Sequence, residues 1–346
     1  MIAAAFAGLL AGSVTVVQAA GVRRAATWRA PARLADTGLY SDFASRTIDP
    51  RNVHYSPQYP LWSDGARKNR WIFIPPGKAI DASDPDVWKF PVGTRIWKEF
   101  AWSRRVETRY LERTREGWHY AAYQWRDDER DAVLASDAGA LTTYEVARGK
   151  HHAIPSVADC KNCHRGGRAE ILGFSALQLS PDRDPLAPNR EELRPDMATL
   201  ATFVKRGLVR GLPRDLAEHP PRIEAPTPRG RAALGYMHAN CGMCHDTVGP
   251  LASLGVDLHQ SLRRGARSGN EVIADLVDHP TQFQLASAPA GKSVWIHPGS
   301  AASSAVPVRM ASRSAIVQMP PLGTAVPDEE ALKLVREWIS QDLRSR

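Results

Sequence analysis

All four cysteines of this 346-residue chain fall in two copies of one pentapeptide, Cys160-Lys161-Asn162-Cys163-His164 and Cys241-Gly242-Met243-Cys244-His245. Two thiols three positions apart lie on one side of a helical turn, where they can add to the two vinyl groups of one haem. The histidine that follows directly comes up against the iron as its proximal ligand. Each copy therefore reads as a site of covalent haem c attachment, and two copies with no cysteine left over predict two haems. A zinc site shared by Cys160, Cys163, Cys241 and Cys244 would need its two halves within roughly 15–20 residues, and it would leave both histidines unexplained. A thioredoxin-like dithiol would need a βαβ setting that this sequence lacks.

The axial ligands divide the two sites. Behind His245, Gly249-Pro250 is similar to the loop of small cytochrome c domains, in which a proline carbonyl accepts a hydrogen bond from the proximal ring. Downstream, Met319-Pro320-Pro321 is similar to a methionine loop that delivers the sixth ligand, and a thioether opposite histidine raises the reduction potential. Met310 is the next candidate; Met237 and Met243 sit too close to the motif and read as packing residues. For the first site the sequence offers Met197, His151, His152, His219 or no sixth protein ligand, and does not choose among them.

These sites need an exported scaffold. Ile2 to Val17 is apolar and small, and Val17-Gln18-Ala19 has the character of a cleavage site, so residues 1–20 read as a signal peptide, although no basic residue precedes the apolar run. A periplasmic location follows from that segment together with haem c chemistry. No stretch reaches the 18 or so apolar residues of a span in the mature chain. Formal net charge is +8 with a pI of about 9.5, and four haem propionates would roughly halve the surplus. A moderately basic surface is suited to an acidic redox partner protein. The arginines are scattered, and the compartment excludes a nucleic-acid role.

Eight of the ten tryptophans lie between Trp28 and Trp125. Period-two alternation over Ile96–Trp102, Thr108–Arg113 and Trp118–Trp125, with Arg115-Glu116-Gly117 as a turn, predicts antiparallel strands. After Gly149 the alternation stops. Glu191–Val209 carries an apolar stripe at helical spacing through Leu193, Met197, Leu200, Val204 and Leu208. Pro213–Pro228 reads as an extended linker, Arg229–Asn240 as a helix entering the second motif, and Asp328–Leu343 as a terminal helix capped by Asp328. The expected architecture is multidomain: an antiparallel β domain over 39–148, then mainly α, cytochrome c-like haem domains over 149–227 and 228–346.

Several longer blocks carry a resemblance. Tyr59-Pro60-Leu61-Trp62-Ser63-Asp64-Gly65-Ala66, Trp88-Lys89-Phe90-Pro91-Val92-Gly93-Thr94 and Glu107-Thr108-Arg109 precede the first motif, with Ile154-Pro155-Ser156 just before it. Leu172-Gly173, Gln178-Leu179, Asn240 to His245 and Gln318-Met319-Pro320-Pro321-Leu322-Gly323 follow. With these, the chain from about Leu39 onward resembles bacterial dihaem c-type cytochromes that carry an N-terminal tryptophan-rich β domain. The resemblance implies haem binding, electron transfer and an extracytoplasmic location, and supplies no substrate. One-electron transfer is thus the expected function. The rivals are a peroxidase- or oxygenase-like dihaem enzyme, with an open first haem and a substrate site shaped by the β unit, and a haem-based sensor. The Trp62–Gly65 block reads as core packing and a turn.

Overall fold

Alternation in the tryptophan-rich region builds the sheet on which the rest of the molecule rests. The computed structural model describes residues 28–164 and 167–344, so the expected signal segment 1–20 lies outside the described residues. A short hairpin, β1 (Tyr40–Asp42) and β2 (Thr47–Ile48), leads to β3 (Val53–Tyr55) and β4 (Arg67–Phe73). Then come β5 (Ile80–Asp81), β6 (Arg95–Ala101), β7 (Arg105–Arg113), β8 (Trp118–Trp125) and β9 (Ala132–Leu134). Strands β3-β4-β6-β7-β8-β9 form one antiparallel six-stranded sheet in that order. A second hairpin, β10 (Ala140–Ala147) with β11 (Lys150–Ile154), runs directly into α1 (Val157–His164), which holds the first pentapeptide.

The two faces of the sheet differ. One buries Trp71, Phe73, Trp97, Tyr110, Tyr123 and Trp125 against the N-terminal segment around Leu34 and Leu39. On the other, Ile72, Ile96, Leu111, Trp118 and Tyr120 pack with Ile171, Phe174, Phe203 and Val209 from beyond the first motif. This second, inner face is the one that α1 meets.

The remaining helices are short: α2 (Leu200–Lys205), α3 (Arg214–Glu218), α4 (Pro228–Asn240), α5 (Ala266–Leu276), α6 (Ala305–Ala311) and α7 (Glu329–Glu337). Strand β12 (Val209–Arg210) between α2 and α3 adds in parallel to β5. The expectation of mainly α haem domains is therefore corrected. Among the described residues the sheets, one of six strands and three of two, carry the fold, and the longest helix has 13 residues. Proline is the physical reason. Pro195, inside the stripe over Glu191–Val209, removes a backbone donor and biases Arg194 away from helix, and the stripe yields helix only as α2. Likewise the segments 278–300 and 312–327 run as turns held by local hydrogen bonds. The stretch expected as a linker contains α3.

Helix α4 forms where its caps dictate. Thr227 accepts the Gly230 N–H at 2.9 Å, and Pro228 occupies the first turn, where no donor is missed. Gly235 in its middle lets the Tyr59 ring approach where a Cβ would sit 2.1 Å from Cε1. Helix α7 starts at Asp328, whose carboxylate accepts the Ala331 N–H at 3.1 Å, and continues as a π turn over Trp338–Asp342. Both helices share a core with Tyr59, Leu177, Leu258 and Ile296. No helix among the described residues is long and apolar enough to cross a membrane.

Candidate functional site

The backbone hydrogen bond of Cys160 N to Ser156 O, 3.1 Å, starts the turn that sets Cys160, Cys163 and His164 along α1. All four cysteines are free thiols. Burial pushes Cys160 up to about 11 and Cys241 up to about 12, and raises Cys163 and Cys244 as well, so all are protonated at neutral pH.

His164 stacks obliquely on Tyr120 of β8, ring centroids 5.3 Å apart. Its Nδ1 bonds the Glu170 carbonyl at 2.7 Å, which leaves Nε2 as the free lone pair. A carbonyl on the far nitrogen is what fixes the tautomer of a metal-ligating histidine. Burial drives the His164 pKa down to about 4, against the pull of the Glu170 bond, so the ring is neutral. The ring lies deep in the chain and still keeps accessible surface, as do Cys163 and Lys98. Lys98 lies close enough to act electrostatically on both His164 and Cys163.

The second pentapeptide leaves the end of α4, with Cys241 N on Met237 O at 2.8 Å and His245 N on Cys241 O at 2.9 Å. Gly242 passes where a Cβ would meet the His238 carbonyl at 2.8 Å, so only glycine suits that position. His245 is 5% exposed and stands edge-on to Trp295 at 5.2 Å. Burial, with Arg309 nearby, lowers its pKa to about 4. Its Nδ1 is buried with no partner among the described residues. The expected bond from the His245 ring to the Pro250 carbonyl is absent: Asp246 accepts the Val248 N–H at 2.9 Å and the Gly249 N–H, and Pro250 is exposed.

Met319 N donates to the Arg309 carbonyl at 3.0 Å, and the Arg309 side chain adds to the burial that depresses His245. The Met319 loop and the His245 ring thus share one neighbour. Met310, 8% exposed, belongs to the apolar core. For the first site the structure converges less. Met197 lines a cleft of about 620 Å³ beside the start of β4, with Lys68, Glu99, Arg105, Glu191 and Arg194. β4 lies three strand steps from β8, on the order of 14 Å, so Met197 is not brought to His164. His152 is buried and bonded to Glu107 at 2.7 Å; His151 and His219 are exposed.

The two pentapeptides meet. Arg168 N donates to Asp246 Oδ2 at 3.0 Å, and its guanidinium pairs with Asp257 at 3.3 Å and bonds the Thr247 hydroxyl. A Cβ on Gly167 would strike the Met243 carbonyl at 2.8 Å. Cys244 is close enough to Cys163 that its thiolate would disfavour that of Cys163.

Sequence reasoning missed several of the residues that build this seam. Asp246 directly follows the second motif, and its position was the only signal. His238 and His259, ring centroids 4.8 Å apart, are buried neutral in the seam, pushed by burial to about 3 and about 4. Asp64 and Trp62 do more than make a turn. Asp64 accepts the N–H groups of Ala325 and Val326 at 2.8 and 3.0 Å, and Trp62 Nε1 donates to Val326 O at 3.1 Å. Asn240 in turn accepts Trp62 N at 2.7 Å, tying the β unit to the entrance of the second motif.

Four free thiols in two Cys-x-x-Cys-His turns, each beside a neutral histidine, suit two covalently held haems c. No family model, curated protein or solved structure matches this chain.

Proposed function

We propose that this protein is an extracytoplasmic, periplasmic dihaem c-type cytochrome that carries single electrons between an acidic partner and a second redox protein. One observation carries the reading: the segments that follow the two attachment motifs are hydrogen-bonded to each other, Arg168 N to Asp246 Oδ2 at 3.0 Å. Cofactors held by Cys160 and Cys163 and by Cys241 and Cys244 would be near neighbours, and electron tunnelling falls off steeply with separation.

Each haem would supply a one-electron iron couple. The chain's own residues do the rest. His164 and His245 present neutral rings that would hold the two irons, and the Glu170 carbonyl fixes the first ring's tautomer. Met319 sits on a loop anchored to Arg309, and its thioether would hold the iron of the second haem together with His245. Trp295 and the apolar core around Leu258 and Ile296 exclude water there.

A second reading is favoured by one specific observation, the lack of convergence of Met197, His151, His152 and His219 on His164. With no protein group opposite His164, the first site would be open and the molecule a peroxidase- or oxygenase-like dihaem enzyme. Protein made with a working cytochrome-maturation system separates the readings. Its mass should exceed the polypeptide by two haems, and its EPR spectrum should show two low-spin ferric species. One high-spin ferric species that binds cyanide would move the assignment to the enzyme. A mass equal to the bare chain would remove both.

A further inference from the structure

Strand register places three cations directly opposite one another on the inner face of the sheet. Arg70 of β4 pairs with Lys98 of β6, and Lys98 pairs with Arg109 of β7; the row ends on the small Ala122 of β8. Like charges directly opposite across strands destabilise a sheet, and buried charges normally find a counter-ion. The outer two do. Arg70 is held bidentate by Glu191 at 2.6 and 3.0 Å, and Arg109 by Glu107 at 2.7 and 3.2 Å.

Lys98 does not. It has no hydrogen bond or ion pair among the described residues, and its ammonium only overlies the Phe100 ring at 4.8 Å. Lys68, two residues from Arg70 on the same face and 7% exposed, bonds a single carbonyl, Leu61 O at 2.9 Å. Arg183, near Arg70 and Glu191, has buried Nε and Nη1 donors without a partner among the described residues.

We propose that Lys98 and Lys68 form the binding site for the two propionate carboxylates of the haem attached at Cys160 and Cys163. The inference rests on the dihaem reading and assigns one edge of the first haem. Position supports it. The thioether edge of a haem c lies across the macrocycle from its propionates, and α1 with its two thiols packs at β8, against which His164 rests on Tyr120. β6 and β4 lie two and three strand steps further on, roughly 10 to 14 Å, about the span of the macrocycle. Two lysines without a carboxylate match two carboxylates without a cation. Burial, then Arg70, Lys68 and Arg109, holds the Lys98 amine well below its ordinary pKa as the chain stands; a carboxylate beside it would restore the charge.

Spectroelectrochemical titration of the holoprotein tests the assignment, with a Cys241→Ser/Cys244→Ser variant identifying the first haem's wave. A cation beside a haem favours the reduced state. Lys98→Met should therefore shift the first haem to lower potential and leave the second unmoved, and Lys98→Arg should restore the wild-type value. Lys68→Met should give the same downward shift, which keeps the test alive if Lys98→Met does not fold. An unchanged first wave in these variants would overturn the proposal, and so would equal shifts of both waves. It would also fail if millimolar phosphate or nitrite perturbed the first haem's spectrum in wild type and not in Lys98→Met, for the lysines would then serve a diffusing anion. Wild-type protein lacking haem at Cys160 and Cys163, seen by mass before any variant is made, would instead sink the dihaem reading.

Discussion

Asp246 shows how much one side chain can decide. Its two carboxylate oxygens accept the N–H groups of Val248, Gly249 and Arg168. The first two bonds fold the loop behind His245, and the third fastens the first motif's exit to the second. Asp246→Ala would strand these donors at about 1–3 kcal/mol for each that stays buried. The expected result is a loss of at least about 2 kcal/mol in thermal unfolding of the holoprotein, with slower electron exchange between the two haems. Unchanged stability would mean that the seam is held elsewhere. At the same scale, Met319→Ala should convert the second ferric haem from low to high spin while the first keeps its EPR signal. No change in spin state would remove Met319 as a ligand.

Among elements, the bond between β4 and the loop before α2 is the one that acid should break. Burial alone would raise the Glu191 pKa, but the Arg70 guanidinium overrides it and holds the carboxyl down to about 2. Because the folded pKa lies below the unfolded value, this stabilisation is complete above about pH 4.5. It is lost as pH falls toward 2, and amounts to about 3 kcal/mol. Unfolding temperatures measured from pH 6 to pH 2 should therefore decline more steeply in wild type than in Glu191→Gln. Parallel profiles would show that Glu191 is not the linked group. The element matters to function because Arg70 begins the row of cations that crosses the sheet to the first motif.

Over the whole molecule, the cores ignore the limits suggested by composition. Ile72, Ile96, Leu111 and Trp118 of the sheet are covered by Ile171, Phe174, Phe203 and Val209, and Tyr59 is packed into the core of α4 and α7. Each such side chain is worth about 1.5–3 kcal/mol of burial. A fragment of residues 28–148 is expected to lack cooperative unfolding and to bind a hydrophobic dye. A sharp two-state transition in that fragment would show that the sheet's inner face needs no cover. The same continuity fastens Asp64 and Trp62 to the segment after Met319, so the sheet takes part in positioning both candidate sites.

Sequence alone determined what was local and periodic. The spacing of thiols and histidine in the two pentapeptides, the alternation of β6 to β8, the Asp328 cap of α7, and the candidacy of Met319 are written within a few residues of one another. The apolar stripe over Glu191–Val209 was misleading because periodicity reports which side chains can be buried and is blind to the backbone donors that proline removes. Only the tertiary structure decided that the two motifs abut, that Met197 lies by β4 and that Lys98 stands between two arginines. Each of these depends on strand register or on a hydrogen bond between segments tens of residues apart. Such pairings are fixed by the summed burial of whole faces, which no local pattern encodes.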